Sequence, residues 1–131
     1  TKATQQQAHV LLIDDDDLVR EALARTLAEH GFTITTATGH DSALRHIEAA
    51  TFDIAIIDVA LGANESGADL AQTILARRPN LKIMLISGHT QEKVSADMRT
   101  ISFLQKPFSH AALLHGMSAL LAPALARGNG S

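Results

Sequence analysis

The feature that most constrains the fold of this chain is the alternation of two apolar patterns along its length. Short runs of apolar or β-branched residues predict strands, and they occupy 10–13, 32–37, 52–58, 81–87 and 101–105. After each run, apolar residues recur every three or four positions, as they do along the buried side of a helix. Continuous Val, Ile and Leu runs are typical of a parallel sheet covered on both faces. The sequence therefore predicts a doubly wound α/β domain with a five-stranded parallel sheet.

Residues that begin and end helices support this assignment. Gly31 is placed to end the first helix at the position after its cap, where a left-handed backbone is common. Ser109 is a good N-cap for the last helix, and we expect Pro123 to stop that helix. The helix predicted between the fourth and fifth strands carries only Val94 and Met98 on its apolar side. We expect that helix to be short or irregular.

Composition places these elements in one globular domain of 131 residues, with 46% apolar and 19% charged residues. We expect the domain to cover residues 9–122, between a flexible N-terminal segment at 1–8 and a flexible C-terminal tail at 123–131. No cysteine is present, which excludes disulfides and thiolate metal sites and fits a reducing compartment. The net charge of −3 and the absence of a basic block argue against binding of nucleic acid. No apolar run reaches the roughly 20 residues that a membrane span needs, and we expect a cytoplasmic protein.

Polar residues stand where the predicted strands end. The stretch VLLIDDDDLV places four aspartates, Asp14 to Asp17, directly after the first strand. Asp58 ends the third strand, Ser87 ends the fourth, and Lys106 follows the fifth. The functional crevice of a doubly wound sheet lies outside the carboxyl ends of its strands. All four positions are therefore predicted to meet at one edge of the sheet.

The chemistry of this set points to a cation and a phosphoryl group. Clustered carboxylates repel each other by a few kcal/mol per close pair at an effective dielectric constant near 20, so a cation must hold them together. A site of oxygen ligands without thiolates favours Mg²⁺, which takes one or two protein carboxylates and keeps positions open for water or phosphate. A lysine supplies a point charge for a phosphoryl oxygen, and an aspartate can itself become phosphorylated. Phosphoryl transfer needs little from a protein beyond positioning and neutralisation of charge.

The chain resembles the receiver domain of bacterial two-component response regulators. The resemblance rests on LLIDDDD, DIAIIDVAL followed by SGADL, IMLISGH and FLQKPF, which occur in this order at the strand ends and span His9 to Leu121. It implies the flavodoxin-like receiver fold and a histidine kinase or histidine phosphotransfer protein as phosphodonor.

Site residues follow from the resemblance position by position. It makes Asp58 the phosphoacceptor and a metal ligand, Asp14 and Asp15 the acidic pair that holds Mg²⁺, and Ala60 the donor of a backbone carbonyl to the metal. It makes Lys106 the catalytic lysine that follows the fifth strand, before a proline that the family often joins through a cis peptide bond.

Two further positions correspond to the switch of the family. Ser87 matches its switch hydroxyl, which also assists catalysis, and Phe103 matches its switch aromatic residue. Phe103 lacks the phenolic hydroxyl of many relatives, so any signal that it transmits must come from packing. The chain departs from the family in two other ways, since the loop after Asp58 lacks a common proline and is one residue longer, and the segment from Ser87 to Lys106 is shorter.

Simpler explanations compete for some of these residues. Asp16 or Asp17 can be explained as a helix cap, Ser87 as a turn residue, and Phe103 as part of the core. Two other functional classes also stay open. A degenerate receiver would act as a protein-interaction platform without phosphorylation. A Mg²⁺-dependent phosphatase would need a substrate pocket, for which the chain has no spare length.

Overall fold

The computed structural model describes residues 8–61, 66–88 and 101–130, with side chains in the last helix as far as Leu121. The described elements confirm the predicted alternation of strands and helices. They are, in order, β1 (His9–Ile13), α1 (Asp17–Glu29), β2 (Thr33–Ala37), α2 (His40–Ala49), β3 (Ile54–Asp58), α3 (Gly67–Arg77), β4 (Lys82–Ser87), β5 (Ile101–Gln105) and α4 (His110–Gly130). The short helix predicted around Val94 and Met98 lies outside the described residues.

All strands form one parallel sheet in the order β2-β1-β3-β4-β5. The chain moves outward from β1 to β2 and then returns past β1 to β3, so the direction of winding reverses between β1 and β3. Ligands of open α/β sheets bind at such a reversal. Ile13 is paired with Ile57, which places the next residues, Asp14 and Asp58, beside each other at the carboxyl edge.

The core lies in two layers, one on each face of the sheet. Alternate residues of a strand face opposite ways, and the predicted continuous apolar runs supply both layers. One layer contains Leu11, Ile57 and Leu85 with residues of α2 and α3, and the other contains Leu12 and Ile56 with residues of α1 and α4. Both layers are almost entirely aliphatic, and they hold the sheet rigid beneath its carboxyl edge.

Three predicted helix boundaries are confirmed. Asp16 caps α1 by accepting hydrogen bonds from the N–H groups of Leu18 and Val19. Gly31 has a φ of 94°, the left-handed conformation expected after a helix end. The Ser109 hydroxyl accepts from the Ala112 N–H at 3.0 Å at the start of α4.

Two expectations about the C-terminal third are wrong. The backbone of α4 stays helical to Gly130, past the predicted stop at Pro123, because a proline removes one hydrogen bond of a helix while the bonds around it can persist. Whether residues 123–131 are flexible is a separate matter and stays a prediction. Phe103 is 37% exposed and lies outside the buried core, because β5 is an edge strand of the sheet. Within the described residues, no helix combines the length and the apolar character that a membrane crossing requires.

Candidate functional site

The end of β1 buries a carboxylate beneath the crevice. Asp14 is 2% exposed, its N–H donates to the Ala37 carbonyl at 3.1 Å, and its Oδ1 accepts the Asp16 N–H at 2.9 Å. Burial raises the pKa of Asp14 to about 6, and the nearby charges of Asp58 and Asp15 add to this rise. The hydrogen bond from Asp16 acts in the opposite direction but does not cancel the rise.

The end of β3 presents a second buried carboxylate. Asp58 is 6% exposed. Its Oδ2 accepts a hydrogen bond from Lys106 Nζ at 2.8 Å, and its Oδ1 accepts the Ala60 N–H at 3.0 Å. Burial by itself lowers the pKa of Lys106, but the hydrogen bond to Asp58 and the charges of Asp58 and Asp14 outweigh it, so this pKa lies above its ordinary value. Lys106 is therefore a cation that is bonded to Asp58 and further stabilised by the charge of Asp14.

Gly67 brings the start of α3 close to the backbone of the phosphoacceptor candidate, Asp58. Its N–H donates to the Val59 carbonyl at 2.7 Å, and a Cβ at this position would lie 2.2 Å from the Asp58 carbonyl oxygen. Only glycine fits such an approach. Sequence reasoning missed this role, and the available signal was a glycine at the end of the predicted loop, directly after Ser66.

The remaining predicted residues lie around this centre at different depths. Ser87 is buried at the end of β4, and its carbonyl accepts the Lys106 N–H at 2.8 Å. Asp15 and Ala60 are exposed, and Ala60 forms a β-bridge with Ser66.

Phe103 lies two residues before the end of β5, paired with Leu85. The structure thus brings Asp14, Asp58 and Lys106 into one cluster, with Ser87 on the neighbouring strand end and Phe103 further from the edge.

The donor set at this edge fits a hard divalent cation. Two buried carboxylates share one lysine, which leaves the buried cluster short of positive charge, and every side-chain acceptor in it is an oxygen. In the parts of the chain that the structure describes, no three His, Cys, Asp or Glu side chains gather as a metal cage. Asp14, Asp15 and Asp58 therefore do not form a closed cage. Mg²⁺ can nevertheless be held by one or two carboxylates together with several waters, so the buried pair is sufficient.

A cavity of about 430 Å³ opens beside the cluster. Its polar walls are Asp14 and Lys106, and its apolar walls are Val19, Leu23, Ile86, Pro107 and Phe108. The Lys106–Pro107 peptide bond is cis, as the family resemblance implies.

A pair of buried carboxylates lies at the winding reversal of a parallel sheet, and one of them is bonded to a lysine. Comparison with known proteins assigns this arrangement to a family. The sequence profile of the response regulator receiver domain matches residues 10–118, and the chain belongs to this family. The chain is therefore a receiver domain of the kind found in two-component response regulators, a signalling domain.

One relative and one structural neighbour with its kinase complex illustrate the likeness. The regulatory protein VirG of Agrobacterium tumefaciens is 32% identical over 105 residues, which cover 77% of this chain and 39% of VirG. The chain thus spans well under half of that relative. The response regulator TrrA of Thermotoga maritima, solved in complex with Mg(2+)-BeF, is 25% identical with a TM-score of 0.78, covering 88% of this chain and 100% of TrrA. A complex of the histidine kinase ThkA with TrrA also matches, at 25% identity and a TM-score of 0.76 over 88% of this chain and 99% of the matched chain.

Proposed function

We propose that this receiver domain is a phosphorylatable switch that accepts a phosphoryl group on Asp58. The observation that carries the proposal is the buried Asp58 carboxylate, bonded to Lys106 on one oxygen and to the Ala60 N–H on the other. The donor would be a histidine kinase or a histidine phosphotransfer protein, and the likeness to TrrA, which has been solved with a histidine kinase, supports this. The presence of the acidic pair together with Asp58, Ser87 and Lys106 favours a working switch over a degenerate interaction platform.

The residues of this chain suit each part of the transfer. A carboxylate oxygen of Asp58 would form the new bond to phosphorus while the bond between phosphorus and the donor nitrogen breaks. The Lys106 ammonium, already 2.8 Å from Oδ2, would donate to a phosphoryl oxygen. The Ala60 N–H would keep the carboxylate oriented. The electron pair of the broken bond would leave with the donor nitrogen, so this chain has to supply only positioning and neutralisation of charge.

Mg²⁺ would be held by Asp14, Asp15, Asp58 and the Ala60 carbonyl, and it would neutralise the charge of the phosphoryl group and the carboxylates. The buried and mutually repelling Asp14 and Asp58 support this assignment, as does the solved Mg(2+)-BeF complex of TrrA. The exposed Asp15 would face the ion from the solvent side.

Ser87 and Phe103 would carry the response. Strand register pairs Leu85 with Phe103 and Ser87 with Gln105, so Ser87 and Phe103 lie on the same face of adjacent strands. A phosphoryl group adds about −1.5 to −2 charges and strong acceptor oxygens, to which the Ser87 hydroxyl would donate. Phe103, on that same face, would then rotate towards the space that Ser87 leaves. This movement would change the surface that a downstream partner senses.

Assignments of domain bounds, cellular location and catalytic activity complete the proposal. The receiver domain would comprise residues 9–122 and act in the cytoplasm, consistent with its lack of cysteine. It would catalyse only its own phosphorylation and dephosphorylation. Its net charge of −3 is a poor match for nucleic acid.

Phosphorylation with a small-molecule donor tests the assignment. Incubation with acetyl phosphate and Mg²⁺ should add one phosphoryl group to the wild-type chain, measured by intact mass, and Asp58→Asn should abolish it. Asp53→Asn, an exposed aspartate at the opposite end of the same strand region, should be labelled as the wild type is. Equal labelling of the Asp58→Asn variant would refute the phosphoacceptor assignment, and an unlabelled wild type would favour the interaction platform.

A further inference from the structure

Arg20, one turn into α1, reaches back to the acidic turn after β1. Its Nη1 donates to the Asp14 carbonyl at 2.8 Å, and its Nη2 donates to Asp17 Oδ1 at 2.6 Å. The side chain is only 13% exposed. A nearly buried guanidinium bonded to this turn is unexplained by the functions assigned above.

The ion pair with Asp17 does not account for the burial of Arg20. The Asp17 side chain is 76% exposed, and ion pairs of exposed partners contribute little to stability because solvent screens them. The bond to the Asp14 carbonyl is different, since it is charge-assisted and partly buried. The contact of Arg20 with the backbone of Asp14 is therefore the one whose function has to be explained.

That contact fixes the peptide unit that joins the two predicted metal ligands. A peptide unit is planar, so holding the Asp14 carbonyl also orients the N–H and Cα of Asp15. The other side of the turn is held independently, because the Asp14 N–H donates to the Ala37 carbonyl and Asp14 Oδ1 accepts from the Asp16 N–H. Together these bonds set the direction in which the exposed Asp15 side chain leaves the backbone.

We propose that Arg20 is a positioning residue for the metal site, an inference that rests on the proposed function. It aligns the Asp14–Asp15 peptide so that both carboxylates are presented to one cation at the carboxyl edge. It does not touch the phosphoryl group and is not a ligand. Residues that orient metal ligands through hydrogen bonds commonly change metal affinity by 10–100-fold when removed.

The sign of the effect separates positioning from simple charge. A cation beside a metal site repels the metal, so deleting Arg20 tightens Mg²⁺ binding if its charge is all that matters. Deleting it weakens binding if the alignment of Asp14 and Asp15 matters more. The two explanations therefore predict opposite changes.

The experiment measures Mg²⁺ affinity of the full chain by titration, following backbone amide shifts. Arg20→Met keeps most of the aliphatic stem but removes the donors and the charge, and it should weaken Mg²⁺ binding about tenfold. Arg20→Lys retains the charge and one donor group, and its affinity should lie between those of Arg20→Met and the wild type. Asp17→Asn leaves the bond to Asp14 in place and should stay within about twofold of the wild type, because Asp17 is exposed and screened.

Arg77→Met serves as the matched control, because Arg77 also joins an ion pair, with Glu48, but on helices away from the acidic turn. It should leave Mg²⁺ affinity unchanged. In chelator, Arg20→Met should also shift the amide signals of Asp15 and Asp16, a local change that a general loss of stability does not produce.

An affinity of Arg20→Met equal to or tighter than that of the wild type would overturn the inference while leaving the proposed function intact. A wild-type chain without any Mg²⁺ response would overturn both. Weaker binding by Arg20→Met with partial recovery in Arg20→Lys, and none of this in Arg77→Met, supports the positioning role.

Discussion

The two ends of the central sheet have cavities of similar size but differ in the burial of their charged side chains. At the amino end, a cavity of about 350 Å³ is lined by residues that include Phe52, Asp53 and Arg77. At the carboxyl end, the cavity of about 430 Å³ borders Asp14 and Lys106. Volume alone does not tell them apart.

Charges at the amino end are exposed and matched. Asp53 is exposed and accepts the His9 N–H at 2.8 Å, and the His9 ring lies against Phe52 with centroids 4.3 Å apart. Arg77 pairs with Glu48, with side chains 40% and 65% exposed. Because these charged groups remain exposed, their contacts require little desolvation free energy.

The carboxyl end instead buries two carboxylates, Asp14 and Asp58, of which Asp58 is the one bonded to Lys106. Burying a charge without a full partner costs free energy of folding, and groups kept in such a state cluster at functional sites. Burial of charge, more than cavity size, therefore distinguishes the carboxyl end of this domain from its amino end.

The largest expected effect comes from crowding the carboxyl end. Gly67→Ala should destabilise the domain by about 3 kcal/mol or more, because its Cβ would lie 2.2 Å from the Asp58 carbonyl oxygen and the backbone must move. Urea unfolding with and without Mg²⁺ measures the change. Gly88→Ala is the control, since a Cβ there meets nothing within 4 Å, and it should stay within about 0.5 kcal/mol of the wild type. Equal stability of the Gly67→Ala variant would show that the loop is not packed against Asp58.

Removing one buried charge should have a smaller effect of the opposite sign. In chelator at pH 8, Asp14→Asn should stabilise the domain by about 2 kcal/mol, because it abolishes a desolvated carboxylate that Asp58 repels while its amide oxygen can still accept from Asp16. The matched change at the amino end, Asp53→Asn, should shift stability by less than about 0.5 kcal/mol because Asp53 is exposed. A destabilised Asp14→Asn variant would contradict the account of the carboxyl end.

The gain from Asp14→Asn should also depend on pH in a defined direction. The pKa of Asp14 is raised from 3.8 to about 6 in the folded state, so between these values the folded state binds more protons than the unfolded state. Stability contributed by Asp14 therefore falls as pH rises through this window. The difference between Asp14→Asn and the wild type in chelator should open between about pH 4 and pH 6 and level off above. A difference that is constant from pH 4 to pH 8 would contradict burial of the ionised group.

The smallest effect is expected at the amino end. Arg77→Ala should cost at most about 0.5 kcal/mol, because the ion pair with Glu48 is exposed and screened. Thermal unfolding at low and at 0.5 M salt measures it, and salt should reduce the already small difference. A loss of several kcal/mol would mean that the amino end stores as much electrostatic energy as the carboxyl end, and the contrast between the two ends would fail.

Much of the fold and part of the site were predictable from local pattern. Continuous apolar runs identify the strands because burial on both faces leaves no polar position. The places of Asp14, Asp58, Ser87 and Lys106 at strand ends then follow, since parallel strands share one carboxyl edge. The cap at Asp16 was also within reach of local reasoning.

Other features were decided only by contacts between distant segments. Asp14 and Asp15 are neighbours of the same type in the sequence, yet the first is buried and the second exposed. Asp14 directly follows β1 and is hydrogen-bonded to Ala37 at the end of β2. The closeness of Gly67 to Asp58 depends on how α3 packs against the end of β3. The exposure of Phe103 depends on the position of β5 at the edge of the sheet.

The strand pattern and the class of fold can be inferred from the chain before it folds, and so can the chemistry expected at the carboxyl edge, because hydrophobic periodicity and residue type act locally. Contacts across the fold settle which carboxylate is buried, why residue 67 has to be glycine, that Arg20 donates to the Asp14 carbonyl, and that α4 runs past Pro123. The physical reason is that desolvation, steric approach and the reach of a side chain depend on distances across the fold, which no local pattern contains.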